Sequence, residues 1–318
     1  MEKRSVGNGK LQIAPLVFGG NVFGWTVDER TSFELLDAFV EAGFDCIDTA
    51  DVYSRWVPGN HGGESETIIG NWIHARKNRR KVVIATKVGS EMGPGRKGLS
   101  KAYILSAVED SLRRLQTDYI DLYQSHYDDP AISPDETLAA YAQLVKEGKI
   151  RVAGASNITP ERLQEALVAG RKPGVVPYQS LQPLYNLYDR GGYERDFEAI
   201  CRKWGLAVLP YSSLASGFLT GKYRKSEDFV KSGRGGSVQE KYFNDRGKRI
   251  LAALDEVSRR LHATPAQVAI AWLLSRPTVT APIASATTKA QLAELLKGTE
   301  LRLDGESFAQ LQEAGKVD

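Results

Sequence analysis

Several polar residues of this 318-residue chain fall at the ends of short apolar runs, where a β-strand would stop. Asp48 follows Cys46-Ile47, and Tyr53 stands just beyond it. Lys87 closes the run Val82-Val83-Ile84-Ala85-Thr86, and His126 closes Tyr119 to Ser125. Ser156-Asn157 end Arg151 to Ala155, Gln179 lies in Val175 to Leu181, and Tyr211-Ser212 follow Ala207-Val208-Leu209. Taken singly, such a lysine is ordinarily a solvated charge, such a tyrosine packing, and such a histidine a satisfied polar group. Brought to one rim, they could do specific work. A tyrosine of pKa ~10 is a poor acid at neutral pH, and a neighbouring ammonium lowers that value. Lys87 can supply the ammonium, and Asp48 can keep it charged and oriented. Tyr53 can then protonate a carbonyl oxygen while hydride reaches the carbon, with His126 donating a hydrogen bond to the same oxygen. No G-x-S-x-G elbow or H-E-x-x-H pair competes, and His61, His74, His126 and His262 lack metal-ligand spacing, so no metal is expected.

The elements that must position these residues alternate. A hairpin is expected over Val6 to Ile13, turning at Gly7-Asn8-Gly9. Strands are expected at 16–19, 46–50, 82–87, 119–126, 151–155, 175–181, 207–209 and 279–284. Helices are expected between and after them at 33–42, 65–76, 101–115, 134–146, 160–168, 196–204, 264–274 and 289–296. Near-continuous apolar strands imply burial on both faces, as in a parallel sheet. Eight β-then-α units without a G-x-G-x-x-G after the first strand favour a closed (β/α)₈ TIM barrel over a doubly wound sheet, with chemistry at the carboxyl ends of the strands. Two segments interrupt the rhythm as long active-site loops: Ser54 to Gly63, and the glycine-rich, charged Ser213 to Arg249.

Bulk properties agree with one barrel domain over residues 1–318. The chain is 42% hydrophobic and 25% charged, and its net charge of +3 is too even for nucleic acid or an anionic membrane. Two cysteines, Cys46 and Cys201, form no C-x-x-C pair and fit a reducing compartment. With no signal-peptide pattern at its start and no apolar run of membrane-spanning length, the chain is expected to be cytoplasmic.

The motifs resemble those of the aldo-keto reductase family, and the resemblance runs from about Leu11 to about Leu296. Asp48-Thr49-Ala50-Asp51-Val52-Tyr53 is similar to its D-T-A-x-x-Y signature, Ile84 to Lys87 to its catalytic-lysine strand, and Asp121 to His126 to its histidine strand. Gly154-Ala155-Ser156-Asn157 resembles its G-x-S-N, and Tyr211 to Lys222 its cofactor-grasping segment. The stretches Tyr188-Asp189-Arg190 and Leu219 to Lys222 look most like bacterial members sharing a lineage with potassium-channel β subunits.

The resemblance implies a (β/α)₈ barrel, NADPH (or NADH) as cofactor and a small carbonyl substrate. It implies that Ser156, Asn157 and Gln179 hold the nicotinamide carboxamide while Tyr211 stacks on the ring. Gly20, Asn21, Asp48, Ser212, Leu214 and Ser216 are further implied cofactor contacts, with Lys222 at the phosphates. Ser285, Thr287, Lys289, Gln291 and Glu294 would meet the adenosine end. Thr287 and Thr288 stand where NADPH-specific members carry arginine, which leaves Lys289, Lys222 or Arg234 as substitutes of weaker selectivity. Trp25, Trp56 and Tyr127 are candidates for the substrate pocket.

Two other readings use the same residues. The barrel could be a nucleotide-sensing, partner-binding module like the channel β subunits. It could also be an unrelated barrel enzyme such as a phosphate-sugar isomerase, with Ser213 to Gly221 as its phosphate cradle. The intact set Asp48, Tyr53, Lys87 and His126 favours the reductase over both.

Overall fold

The structure, a computed structural model, describes residues 2–9, 11–230 and 235–317, so Arg234 lies outside the described residues. Strands β1 (Arg4–Val6) and β2 (Leu11–Ile13) pair antiparallel as the hairpin. Eight parallel strands follow: β3 (Val17–Gly19), β4 (Cys46–Asp48), β5 (Val83–Val88), β6 (Ile120–Ser125), β7 (Ile150–Ser156), β8 (Ser180–Gln182), β9 (Ala207–Val208) and β10 (Ile283–Ala284). Their order in space is β10-β3-β4-β5-β6-β7-β8-β9, each next to its neighbour in sequence apart from the return of β10 to β3. The remaining seam is closed by Thr280 N donating to Val208 O at 2.9 Å and Ile283 N to Pro210 O at 2.9 Å. This is the (β/α)₈ barrel with an amino-terminal hairpin.

Between strands lie α1 (Glu29–Glu41), α2 (Glu64–Arg76), α3 (Lys101–Leu115), α4 (Pro134–Lys146), α5 (Pro160–Ala169), α6 (Gly191–Asp196) and α7 (Glu198–Trp204). Their starts are written locally. Asp28, Ser100, Ser133 and Thr159 each accept a hydrogen bond from the backbone N–H three residues on, and proline follows directly at Pro134 and Pro160.

Strand alternation sorts the side chains into two cores. Val17, Cys46, Ala85, Leu122, Val152 and Ala207 point into the barrel, where Val6, Leu11 and Ile13 of the hairpin pack beneath them and stop its amino end. Phe18, Ile47, Ile84, Tyr123, Ala153 and Val208 point outward into the larger helix–sheet core. Two residues further along β4 to β7, the inward positions become Asp48, Lys87, Gln124 and Gly154, and Gln182 joins them from β8, level with Ser156. A period of two therefore places the polar set directly above the apolar floor.

Three expectations change. The sixth barrel strand starts at Ser180, not Val175, because Pro177 cannot donate to a ladder and pairing begins beyond it. The eighth shrinks to Ile283–Ala284 because Pro282 interrupts the expected run. The segment 213–249 is largely helical where described. It holds a 3₁₀ turn (Ala215–Thr220), α8 (Ser226–Phe229), α9 (Gly235–Tyr242) and the start of α10 (Asp245–Arg260). Asn244 caps α10, whose Ile250, Leu251, Leu254 and Val257 form one apolar stripe. Helices α11 (Pro265–Leu274), α12 (Lys289–Gly298) and α13 (Gly305–Ala314) complete the chain, the last a helix the sequence reading omits. Among the described residues, no helix is long and apolar enough to cross a membrane.

Candidate active site

The carboxyl ends of β4 and β5 bring Lys87 and Asp48 together. Lys87 Nζ is fully buried and donates to Asp48 Oδ2 at 2.6 Å, Thr49 O at 2.8 Å and the Tyr53 hydroxyl at 2.8 Å. Those contacts use all three ammonium donors. Burial alone would depress this ammonium, but Asp48 and Tyr53 more than offset it and hold its pKa above the ordinary lysine value. Asp48 Oδ1 faces the other way and accepts from Gln182 Nε2 at 2.8 Å, with Gln124 Nε2 at 3.4 Å.

Tyr53 sits in the tight turn after β4, where Tyr53 N donates to Ala50 O at 3.2 Å. Ser54 adopts a left-handed φ of 71° and ties the turn to the β3–α1 loop through its hydroxyl on Phe23 O at 2.6 Å. The direction of the Tyr53 pKa differs from the expectation. Burial pushes the phenol up, the Lys87 ammonium opposes it, and the net direction is upward. The phenol is therefore kept protonated, and Lys87 limits how weak an acid it becomes.

His126 is buried beside Tyr53, their rings 5.9 Å apart and edge to face. Burial, then the Lys87 charge, holds its pKa well below the ordinary histidine value, so the ring is neutral near pH 7. Ser90 Oγ lies 3.0 Å from its Nδ1. A hydroxyl donating there leaves the ring proton on Nε2. Asn157 Nδ2 donates to His126 O at 2.8 Å and to Ser156 Oγ at 3.0 Å, and its Oδ1 accepts from Tyr211 OH at 3.1 Å. Asn157 holds a left-handed φ of 43°, a strained state that clusters at functional sites.

Gln179 requires correction. It precedes β8 at the hairpin end of the barrel, where its Oε1 accepts from Asn8 N at 2.9 Å. The glutamine level with Ser156 is Gln182, three residues or about 10 Å further along the strand. Gln182, Gln124 and Ser90 are the site residues the sequence reading misses. Gln124 was open to it, because it shares the inward parity of Asp48 and Lys87.

The other implied cofactor positions form an arc over the same rim. Ser212, Ala215, Ser216 and Gly217 all have positive φ, left-handed residues that can turn backbone N–H groups toward an anion. A Cβ on Gly217 would lie 2.9 Å from Lys222 Nζ, so the lysine crosses this turn closely. Leu214, half-buried, opens the turn. Ser285 Oγ is 2.7 Å from Gly19 O and 2.6 Å from Asn21 Oδ1, and Gly20 O accepts from Ser65 Oγ at 2.8 Å. At the far end, Thr287 donates to Gln291 Oε1 from its N–H at 2.8 Å, Thr288 caps α12, and Lys289 Nζ lies 3.5 Å from Glu34. Glu294 is half-buried on the same helix.

Aromatic rings wall the opposite side. Trp25 meets Trp56 edge to face at 5.7 Å, Trp56 meets Tyr53 at 6.0 Å, and Tyr127 stacks on His126 at 5.1 Å. Trp56 is 48% and Tyr127 53% exposed, a high value for large rings beside a buried site.

Behind Lys87 lies a second charged cluster. Glu66 accepts from Thr86 Oγ1 at 2.6 Å and from Arg114 Nε at 2.7 Å. Asp51 is buried next to them with no hydrogen-bond partner among the described residues on either carboxylate oxygen, and burial and the Glu66 carboxylate push it up to about 8.

Comparison with known proteins identifies the family. The chain is 34% identical to the uncharacterized oxidoreductase YrpG of Bacillus subtilis strain 168 over 320 residues, covering 98% of this chain and 95% of that protein. It is 31% identical to the aldo-keto reductase YhdN of the same organism over 306 residues, covering 93% and 87%. It is also 31% identical to a probable voltage-gated potassium channel subunit beta of rice, Oryza sativa subsp. japonica, over 311 residues, covering 95% and 92%. The model of the aldo/keto reductase family matches residues 15–316. With the barrel, the motif order and these matches in agreement, the chain belongs to the aldo/keto reductase family of oxidoreductases.

Proposed function

We propose that this protein is a cytoplasmic reductase that converts an apolar, preferably aromatic, aldehyde or ketone to its alcohol with NADPH, and less well with NADH. The observation that carries the reading is the fully buried Lys87 ammonium, divided between Asp48 at 2.6 Å and the Tyr53 hydroxyl at 2.8 Å. An isolated buried ammonium is costly, and its three satisfied contacts here all serve one phenol. The two buried, unbridged cysteines accord with a reducing compartment.

The rim fits a dinucleotide. Asn157, Ser156 and Gln182 would hold the carboxamide, Tyr211 would stack on the ring, and the left-handed residues Ser212, Ala215, Ser216 and Gly217 with Lys222 would meet the phosphates. When bound, the nicotinamide supplies the hydride. The chain's own residues do the rest. The aromatic wall of Trp25, Trp56 and Tyr127 holds the apolar part of the substrate and excludes water. Neutral His126 donates a hydrogen bond to the carbonyl oxygen. Tyr53 transfers its proton to that oxygen as the carbon receives hydride, and the phenolate that remains is stabilised by Lys87 until a solvent proton restores it.

Turnover with benzaldehyde and NADPH, followed by loss of NADPH absorbance, tests the reading. Tyr53→Phe should cut kcat about 10²–10⁴-fold with near-unchanged NADPH affinity. A Tyr53→Phe enzyme with wild-type kcat would overturn the assignment. The likeness to a channel β subunit favours a second reading, a partner-binding barrel that senses the nucleotide. Tight NADPH binding without turnover of any aldehyde or ketone would favour that one.

A further inference from the structure

A cavity of about 430 Å³ lies outside the barrel wall, between β8, α6 and the carboxyl-terminal tail. Its floor is apolar, made by Leu181, Pro183, Leu184, Phe197 and Val317. Leu181 belongs to the outward-facing helix–sheet core, so the cavity is not the interior of the barrel. Asp48, Tyr53 and Lys87 do not line it, and it touches the candidate active site only at Asn157 and Tyr211.

Four charged residues reach this cavity: Asp189, Arg190, Arg195 and Arg246. Three are already compensated. Asp189 is 2.9 Å from Lys241 Nζ and accepts from Tyr242 OH at 2.7 Å. Arg190 pairs with Glu194 at 3.0 Å, and Arg195 pairs with Asp196 at 2.7 Å. Arg246 differs. Its Nη2 donates to two carbonyls, Tyr188 O at 2.7 Å and Gly315 O at 2.9 Å, and its Cζ lies 4.5 Å from the centre of the Tyr188 ring. Its Nε is buried without a hydrogen-bond partner, and among the described residues no carboxylate pairs with it. The cavity thus joins an apolar floor to one guanidinium whose positive charge is unmatched among the described residues. A guanidinium offers five donors, and carboxylate is the anion that fits its fork best.

We propose that this side cavity is a binding site for an amphipathic carboxylate, its anion on Arg246 and its hydrocarbon on the floor formed by Pro183, Leu184, Phe197 and Val317. The ligand is distinct from the carbonyl substrate, because Asp48, Tyr53, Lys87 and His126 do not line the cavity, which shares only Asn157 and Tyr211 with the proposed carboxamide seat. Room for the chain is present at Gly192, where an added Cβ would meet nothing within 4 Å.

Isothermal titration of the full chain with octanoate tests this without any turnover, so its failure is distinct from failure of the reductase reading. Octanoate should bind at one site, and octan-1-ol and acetate should each bind about 10-fold or more weakly, since each lacks one half of the recognition. Arg246→Gln should weaken octanoate about 10-fold. Because that change also removes contacts to Tyr188 O and Gly315 O, Gly192→Leu serves as a second variant. It keeps the guanidinium, adds bulk to the cavity lining and should weaken octanoate similarly. The proposal is overturned if octanoate shows no saturable binding, if octan-1-ol binds as tightly, or if both variants bind like the wild type. Displacement of octanoate one for one by NADPH would place it in the dinucleotide seat and overturn it too.

Discussion

At the scale of single residues, the site is an arrangement of charge around one buried ammonium. Asp48 divides its carboxylate between Lys87 and Gln182, so the glutamine helps fix the direction in which Asp48 presents its other oxygen. This gives two glutamines opposite expectations. Gln182→Ala removes a hydrogen bond to a buried carboxylate and an amide from the proposed carboxamide seat, and it should raise the KM for NADPH about tenfold or more. Gln179→Ala, at the hairpin end, should leave both kcat and KM within about twofold and cost only a little stability through Asn8. Steady-state kinetics of the two variants decide the matter, and a larger effect at Gln179 would reverse the register argued for β8. The catalytic set was legible in the sequence because Asp48, Lys87 and His126 each close a short strand-like run and Tyr53 follows Asp48 in the loop beyond it. Gln182 was not, because the boundary of β8 depends on where pairing resumes after Pro177, a tertiary fact that no local pattern carries.

At the scale of elements, eight strands and the helices between them follow from alternation, caps and turn residues. Segment 213–249 does not. Its glycines and charges read as loop, yet α9 is anchored by Lys241 and Tyr242 on Asp189, and Asn186 joins Asp189 to Ser212 O at 3.0 Å. Long-range polar contacts, absent from a local reading, hold it in place. Selection of the cofactor also belongs to this scale, since it depends on α1 meeting α12. Lys289 opens α12 but lies 3.5 Å from Glu34 of α1, both half-exposed or more. A lysine already shared with a carboxylate attracts a 2′-phosphate less. Glu34→Gln should therefore raise the NADPH-over-NADH ratio of kcat/KM severalfold at low salt, an effect that shrinks as salt screens the charges. Equal ratios in the two proteins at low salt would remove Lys289 from the phosphate site.

For the whole molecule, folding places two buried charge clusters back to back across β5. Lys87 with Asp48 is a balanced pair. Asp51, Glu66 and Arg114 are not, since two carboxyls share one guanidinium. The groups facing Asp51 are Glu66 from α2, Arg114 and Tyr103 from α3, Lys87 from β5 and Tyr123 from β6. Burial and Glu66 push Asp51 to about 8, against 3.8 for an ordinary aspartate. The folded protein therefore binds a proton here that the unfolded chain releases above pH ~4. Below that pH both states hold the proton and the contribution to stability is at its maximum. As pH rises from there toward 8, only the folded state is still protonated, so stability falls, by at most about 1.4 kcal/mol per pH unit from this one group. Above 8 both states are ionised and the loss is complete. Asp51→Asn removes the proton while keeping the shape. Its unfolding free energy in urea, measured at intervals from pH 5 to 9, should show a shallower decline than the wild type, with the gap between the two widening in the mutant's favour as pH rises. Parallel curves would mean that Asp51 is ionised in the fold throughout this range, and that Arg114 alone suffices for both carboxylates.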